Sequence, residues 1–247
     1  MKTMKFILSI AITIVFVFGM LSAQNTAGEI ITSTTITVKY GHHAQFIEGI
    51  KKWKECYLDN NGEQKWSMWH RVQGEGNVFV MNITHPNWAA FDEDDPTNKD
   101  CYSILVQFIH PHVEKVSRNI SQNMPEFSRS WPEDAKHSWV TFYKVKNGTA
   151  FKEVVTGFNT AIKDKEGSSR GLWREYKGGG TDAPDYMVAS PLKSFADLDV
   201  SRESVYQIYK EAVGAEKANE MREKWFSTVL DSWSYLFTLN TELSNLN

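Results

Sequence analysis

The sequence predicts an α+β protein made of two strand–helix–strand–strand–helix–strand (βαββαβ) repeats packed sheet to sheet. Three observations predict it. The segment MWHRVQGEG at 68–76 returns as LWREYKGGG at 172–180. Landmarks around it keep nearly one spacing: Trp69/Trp173, Gly74/Gly178 and Phe91/Phe195 lie 104 residues apart, and Phe46/Phe151 and Pro86/Pro191 lie 105 apart. Extended and helical patterns also follow one another in the same order in each copy. A later echo pairs Pro125-Glu126-Phe127-Ser128 with Thr241-Glu242-Leu243-Ser244 at a spacing of 116, so the second copy carries an insertion. Two copies are too few for a solenoid, which needs three or more.

Each element has its own local reason. Ile31–Tyr40 is rich in Thr, Ile and Val and reads as a strand that Gly41-His42-His43 breaks. His43–Tyr57 places Phe46, Ile50, Trp53 and Tyr57 at helical spacing, and Asp59-Asn60-Asn61-Gly62 ends it. Lys65–Gln73 and Asn77–Thr84 read as a hairpin turning at Gly74-Glu75-Gly76. A short turn around Trp88–Phe91 and a polar loop at Asp92–Lys99 follow, then a second helix opening at Tyr102–Ile109, with Pro111 near its end. In the second copy Trp139–Val145, Gly171–Lys177, Tyr186–Ala189 and Tyr235–Leu239 read as strands. Ala150–Ile162, Ser204–Val213 and Ala215–Leu230 read as helices.

The division this implies is a leader at 1–23, a first repeat at 24–132 and a second at 133–247. In the leader, Lys2 and Lys5 precede an apolar run, and Leu21-Ser22-Ala23 supplies small residues for cleavage. That is the pattern of a secretory signal peptide rather than a membrane anchor, since no basic stop-transfer cluster follows. The expected location is periplasmic or secreted. Without the two leader lysines the chain carries 25 basic and 30 acidic residues. A mildly acidic chain without a basic stripe excludes a nucleic-acid partner, because phosphate contacts need clustered Lys and Arg. No membrane association is expected once the leader is removed. Cys56 and Cys101 do not have metal-site spacing, and an exported pair is either a disulfide or two buried thiols.

Together Gly41–Phe46, the Trp69 strand, the Gly74 turn and Pro86–Phe91, echoed by Phe151, Trp173, Gly178 and Ser190–Phe195, carry a resemblance. The chain resembles the dimeric α/β barrel superfamily in a fused, tandem form, which includes antibiotic-biosynthesis-monooxygenase-like and NIPSNAP-like domains. The resemblance covers most of the chain after residue 23 and implies two ferredoxin-like halves whose bare sheet faces cover each other. It therefore implies a monomer with pseudo-dimeric halves. It also implies a Cys56–Cys101 disulfide, because a ferredoxin-like half brings the end of its first helix to the start of its second. Members include cofactor-free oxygenases, haem enzymes, isomerases and proteins without known activity, so the resemblance does not decide function.

The candidate ligand-binding residues are Trp66, Trp69, His70, Arg71, His85, Trp173, Arg174 and Tyr186. Trp69 and Trp173 read as matched aromatics that pack the sheet or form a flat wall. His70-Arg71 could hold an anionic group, and at these spots the second copy has Arg174 and Glu175. His85 ends a strand where loops line pockets. No catalytic residue stands out. His110-Pro111-His112 lacks the third ligand that a zinc site needs, so neither a metal nor another cofactor is expected, and no histidine is singled out as a haem ligand. The expected function is an exported protein that binds a small apolar or aromatic molecule. The alternative is a cofactor-independent monooxygenase-like oxidoreductase; a haem-dependent enzyme or a purely structural protein stands behind it.

Overall fold

The computed structural model describes residues 28–246, so the leader read at 1–23 lies outside the described residues. The first half runs β1 (Ile30–Val38), α1 (His43–Asp59), β2 (Ser67–Arg71), β3 (Asn77–His85), α2 (Pro96–Asp100), α3 (Tyr102–Ile104) and β4 (Val113–Asn123). The second runs β5 (His137–Val145), α4 (Gly148–Glu166), β6 (Leu172–Tyr176), β7 (Tyr186–Leu192), α5 (Val205–Val213), α6 (Ala215–Thr228) and β8 (Val229–Leu239). Phe46, Ile50, Trp53 and Tyr57 share one face of α1 and are buried, as their spacing requires. The β2–β3 turn passes through Gly74 and Gly76, both at positive φ, where a side chain would be strained.

All eight strands are antiparallel to their neighbours and close into one barrel, in the order β1-β3-β2-β8-β5-β7-β6-β4. The halves are joined where β2 meets β8 and β4 meets β6. Alternation gives each strand a helix-facing and an interior face. Met68 and Phe79 pack outward under α1 with Phe46, Ile50 and Trp66. Tyr143, Trp173 and Tyr186 pack outward in the other half with Phe151 and Trp225. Inside, Val140, Met187 and Phe237 pack with Trp69, Trp131, Phe142 and Tyr176. An eight-stranded barrel is just wide enough for side chains to fill it in this way.

The ladders correct the spacing of the repeat. Val38 opposite Val113, and Val145 opposite Val229, each mark a register shift, so β4 and β8 are related by 116 residues. Asn123, which pairs with Arg174, then matches Leu239, which pairs with Trp69. Arg174 therefore matches Trp69, a spacing of 105 rather than 104. A slip of one residue exchanges the two faces of a strand. Hence Trp69 and Trp173 are not matched aromatics: Trp69 faces the interior and Trp173 faces the helices. The other substitutions shift with them, so His70 matches Glu175 and Arg71 matches Tyr176. Beyond the hairpin the spacing is 107, and Trp88, not Phe91, matches Phe195, each opening a 3-10 turn.

The echo at 125–128 and 241–244 holds. Ser128 Oγ donates to the Met124 carbonyl and Ser244 Oγ to the Asn240 carbonyl. The same two hydroxyls accept from the backbone N–H groups of Trp173 and Met68, residues 105 apart.

Elsewhere the boundaries move. The Asp92–Lys99 loop contains most of α2, because Pro96 takes the first turn and Asp95 caps it. The helix read from Tyr102 breaks into one α turn, a π turn at Leu105–Ile109 and a 3-10 turn at His110–His112, where Pro111 lacks an N–H to continue it. The last strand is Val229–Leu239, longer than the Tyr235–Leu239 expected, and α6 stops at Thr228 because β8 pairs with β5 from Val229 on.

The π turn presses on α1. A Cβ on Gly49 would stand 2.2 Å from the Phe108 carbonyl oxygen. Gly49→Ala is thus expected to destabilise the protein by about 1–3 kcal/mol through overpacking, read as a lower urea midpoint. A gain of roughly 1 kcal/mol, as helix propensity alone would give, would show that α1 and the turn separate freely.

Candidate functional site

Sequence brings the first half's cysteines to the ends of two helices, and the fold joins them. Cys56 and Cys101 form a disulfide with Cα atoms 6.0 Å apart. It ties the last turn of α1 to the residue after α2. Beside it the Tyr57 hydroxyl donates to Asp95 Oδ2 at 2.8 Å and accepts from the Gln64 N–H at 2.9 Å. Burial, then the Asp95 carboxylate, pushes the Tyr57 phenol up to about 12, so it stays protonated. Asp95 Oδ1 accepts from the Thr97 N–H at the start of α2. A covalent staple and a phenol–carboxylate bond therefore hold the 92–97 segment against the end of α1.

A cleft of about 560 Å3 opens between that segment, the 61–64 turn and the end of β3. Its wall carries the carboxylates of Glu63, Glu93, Asp94 and Asp95, and no Lys or Arg lines it among the described residues. Lys99, at 2.8 Å, holds the Asp94 carboxyl below its ordinary value. The cleft is therefore rich in hydrogen-bond acceptors and negative.

His85 lines it from the end of β3. Its Nε2 lies 3.2 Å from Thr32 Oγ1, and its ring packs at a tilt against Phe91, centroids 4.4 Å apart. Burial lowers its pKa below the ordinary 6.5, so it is neutral at pH 7. A lowered imidazole pKa means that the unfolded chain takes up the proton first. Stability is unaffected above that range and falls as pH drops from about 6.5 towards the lowered value. His85→Asn is expected to flatten this part of the acid limb in denaturant midpoints measured against pH; an unchanged limb would place the ring in free contact with water.

The other expected site residues do not converge on the cleft. Trp66 is 2% exposed, and its Nε1 donates to the Leu243 carbonyl, so it is core. Tyr186 is 4% exposed and stacks on Phe151 at 4.6 Å. Burial, then Glu175, raises its pKa. Trp173 lies in the same aromatic layer. His70 stacks on Phe79 at 4.5 Å and bonds Asn77, which donates to His43 Nδ1. Arg71 lies 4.5 Å from the Tyr235 ring centroid, and Trp69 and Arg174 face the barrel interior. Of the eight, His85 alone lines the cleft. Sequence reasoning missed Tyr57, Glu63, Glu93, Asp94 and Asp95. The available signal was the acidic run Asp92–Asp95 between the two cysteines.

Among the described residues no group of three or more His, Cys, Asp or Glu side chains is placed to hold a metal ion. Haem does not fit either. The layers between sheet and helices are filled by the aromatic cores described above. The His137 ring is bonded to Thr238 and stacked on Phe195. In the cleft, four carboxylates would oppose haem propionates.

No protein-family model and no curated protein matches the chain. Solved structures do match. A candidate monooxygenase from Lactobacillus acidophilus NCFM superposes with a TM-score of 0.52 at 12% identity, over 88% of this chain and 98% of its own. A second candidate monooxygenase, from Fusobacterium nucleatum subsp. nucleatum, gives 0.50 at 12%, over 86% and 93%. A chlorite dismutase variant from Candidatus Nitrospira defluvii, in complex with cyanide, gives 0.52 at 9%, over 88% and 92%. The fold is a fused dimeric α/β barrel. At these identities the likeness is one of architecture, and activity has to be argued from the site.

Proposed function

We propose that this barrel is an exported small-molecule-binding protein whose ligand occupies the disulfide-stapled cleft at His85. The cleft carries the reading: about 560 Å3 lies within the usual range for small-ligand sites. Its lining argues for a hydrophilic ligand rich in hydrogen-bond donors, such as a protonated amine, over an apolar or aromatic one. A disulfide, which persists in oxidising compartments, supports export to the periplasm or medium. Barrel closure within one chain supports a monomer. The test is a thermal-shift screen of the oxidised protein against protonated amines and apolar aromatics. Stabilisation by amines, lost in Ala90→Trp, whose indole fills the cleft, is the expected result. No response to any amine would sink it.

A second reading is a cofactor-independent oxygenase, which the fold likeness to candidate monooxygenases and the neutral His85 favour. A neutral imidazole in a cleft can take a proton from a bound substrate. Oxygen uptake with a substrate, abolished in His85→Ala, would select it over simple binding.

A further inference from the structure

One edge of the barrel sheet is left open along part of its length. Strand β4 pairs with β1 from Gln122, opposite Ile30, to Val113, opposite Val38. On its other side it meets β6 only at Ser121, Gln122 and Asn123. Beyond them the Lys177 N–H donates to the Ile120 carbonyl, and the chain then turns at Gly178, at positive φ. Alternate residues of an antiparallel strand aim their N–H and C=O groups to the same side. Arg118 and Val116 therefore aim theirs the way Ile120 does, where no strand among the described residues pairs with them. Residues 114–118 are exposed at every position, and Val116 is 55% exposed.

An open edge is a template for another strand, and charges along it ordinarily turn one away. Here the order of the charges is its own complement. Turned antiparallel about Val116, the run Glu114-Lys115-Val116-Ser117-Arg118 sets Val116 against Val116 of a second copy. Glu114 then stands against the second copy's Arg118, and Lys115 against its Ser117. No like charges meet, and opposite charges across a strand pair stabilise a sheet. Both charged groups are available: among the described residues neither Glu114 nor Arg118 forms an ion pair. Arg118 Nε donates only to Thr34 Oγ1, at 3.4 Å. Glu114 has no partner on β1, because the register shifts there from Thr37 opposite Lys115 to Val38 opposite Val113. A two-fold pairing of this kind uses the same surface on both copies and closes at two.

We propose that this edge joins two copies of the chain, β4 to β4, centred on Val116. Each barrel closes within its own chain, so the pairing joins monomers that are already folded. It does not rest on the cleft: His85 lies opposite Ile30 at one end of β1, and Val116 lies opposite Ile36 towards the other. The test is sedimentation of the oxidised protein over a concentration series at low salt. A reversible monomer–dimer equilibrium is expected, weakened by added salt because the ion pairs are exposed. Glu114→Arg and Arg118→Glu, each of which sets like charges against each other, are expected to weaken the dimer at least about tenfold. The two substitutions together restore opposite charges and are expected to return most of that affinity. Val116→Pro removes an N–H that only the second copy would use, and is expected to leave a folded monomer. A wild-type chain that stays monomeric up to about 1 mM would overturn the proposal. So would a dimer that survives Val116→Pro, or a double variant no tighter than the single ones. Should Val116→Pro fail to fold, the charge exchange decides alone.

Discussion

Replacing Cys56 and Cys101 together by serine is expected to lower the unfolding free energy by roughly 3–4 kcal/mol, from the chain entropy of the cross-link. The bond closes a loop spanning 45 residues that contains the β2–β3 hairpin and all the acidic residues of the cleft. In a chain of this size the loss corresponds to a fall in Tm on the order of 10 °C. The effect should also be local. Tyr57 follows Cys56 directly, and its bond to Asp95 depends on the 92–97 segment staying against α1. Unfolding with and without reductant checks the first part, and proteolysis rates around residue 95 check the second. Equal midpoints for oxidised and reduced protein would mean that the staple constrains nothing the core does not already hold.

Phe79→Ala is expected to cost about 3–5 kcal/mol, the range for deleting a fully buried aromatic ring. Phe79 is 0% exposed and lies 5.0 Å from the Phe46 ring and 4.5 Å from the His70 ring. It also stacks near His43 at 5.7 Å, so one ring supports both α1 and the His43–Asn77–His70 chain of hydrogen bonds. His43 and Phe46 belong to α1 and His70 to β2, so the gap would open between helix and sheet. Urea unfolding measures the cost, and a value under about 1 kcal/mol would contradict the packing described for this half.

Much of this architecture is legible in the chain. The spacing of Phe46, Ile50, Trp53 and Tyr57 marks a buried helix face, and alternation in 66–72 separates Met68 from Trp69 correctly. The fold resemblance pairs the two cysteines correctly. What sequence spacing misses is register. Short length changes in the turns before and after β2 leave the repeat at 107, then 105, then 107 residues. The prominent tryptophans happen to stand one position away from true equivalence, and residue identity outweighs a one-residue slip when the eye aligns two short strands. The cleft is less legible still. Its groups come from the end of α1, the 61–64 turn, the end of β3 and the 92–97 segment, and only the folded chain with its disulfide gathers them. His85 was reachable because a strand end before Pro86 is a recognisable place; the carboxylates read as an ordinary solvated loop.

The most direct test of the ligand cleft is native mass spectrometry of the protein exported to a periplasm and purified without reductant, alongside Ala90→Trp prepared in the same way. The account predicts an oxidised wild-type chain carrying an added small mass that is lost on unfolding and is missing from Ala90→Trp. A wild-type chain without added mass, or an adduct that survives the filling of the cleft, would contradict it.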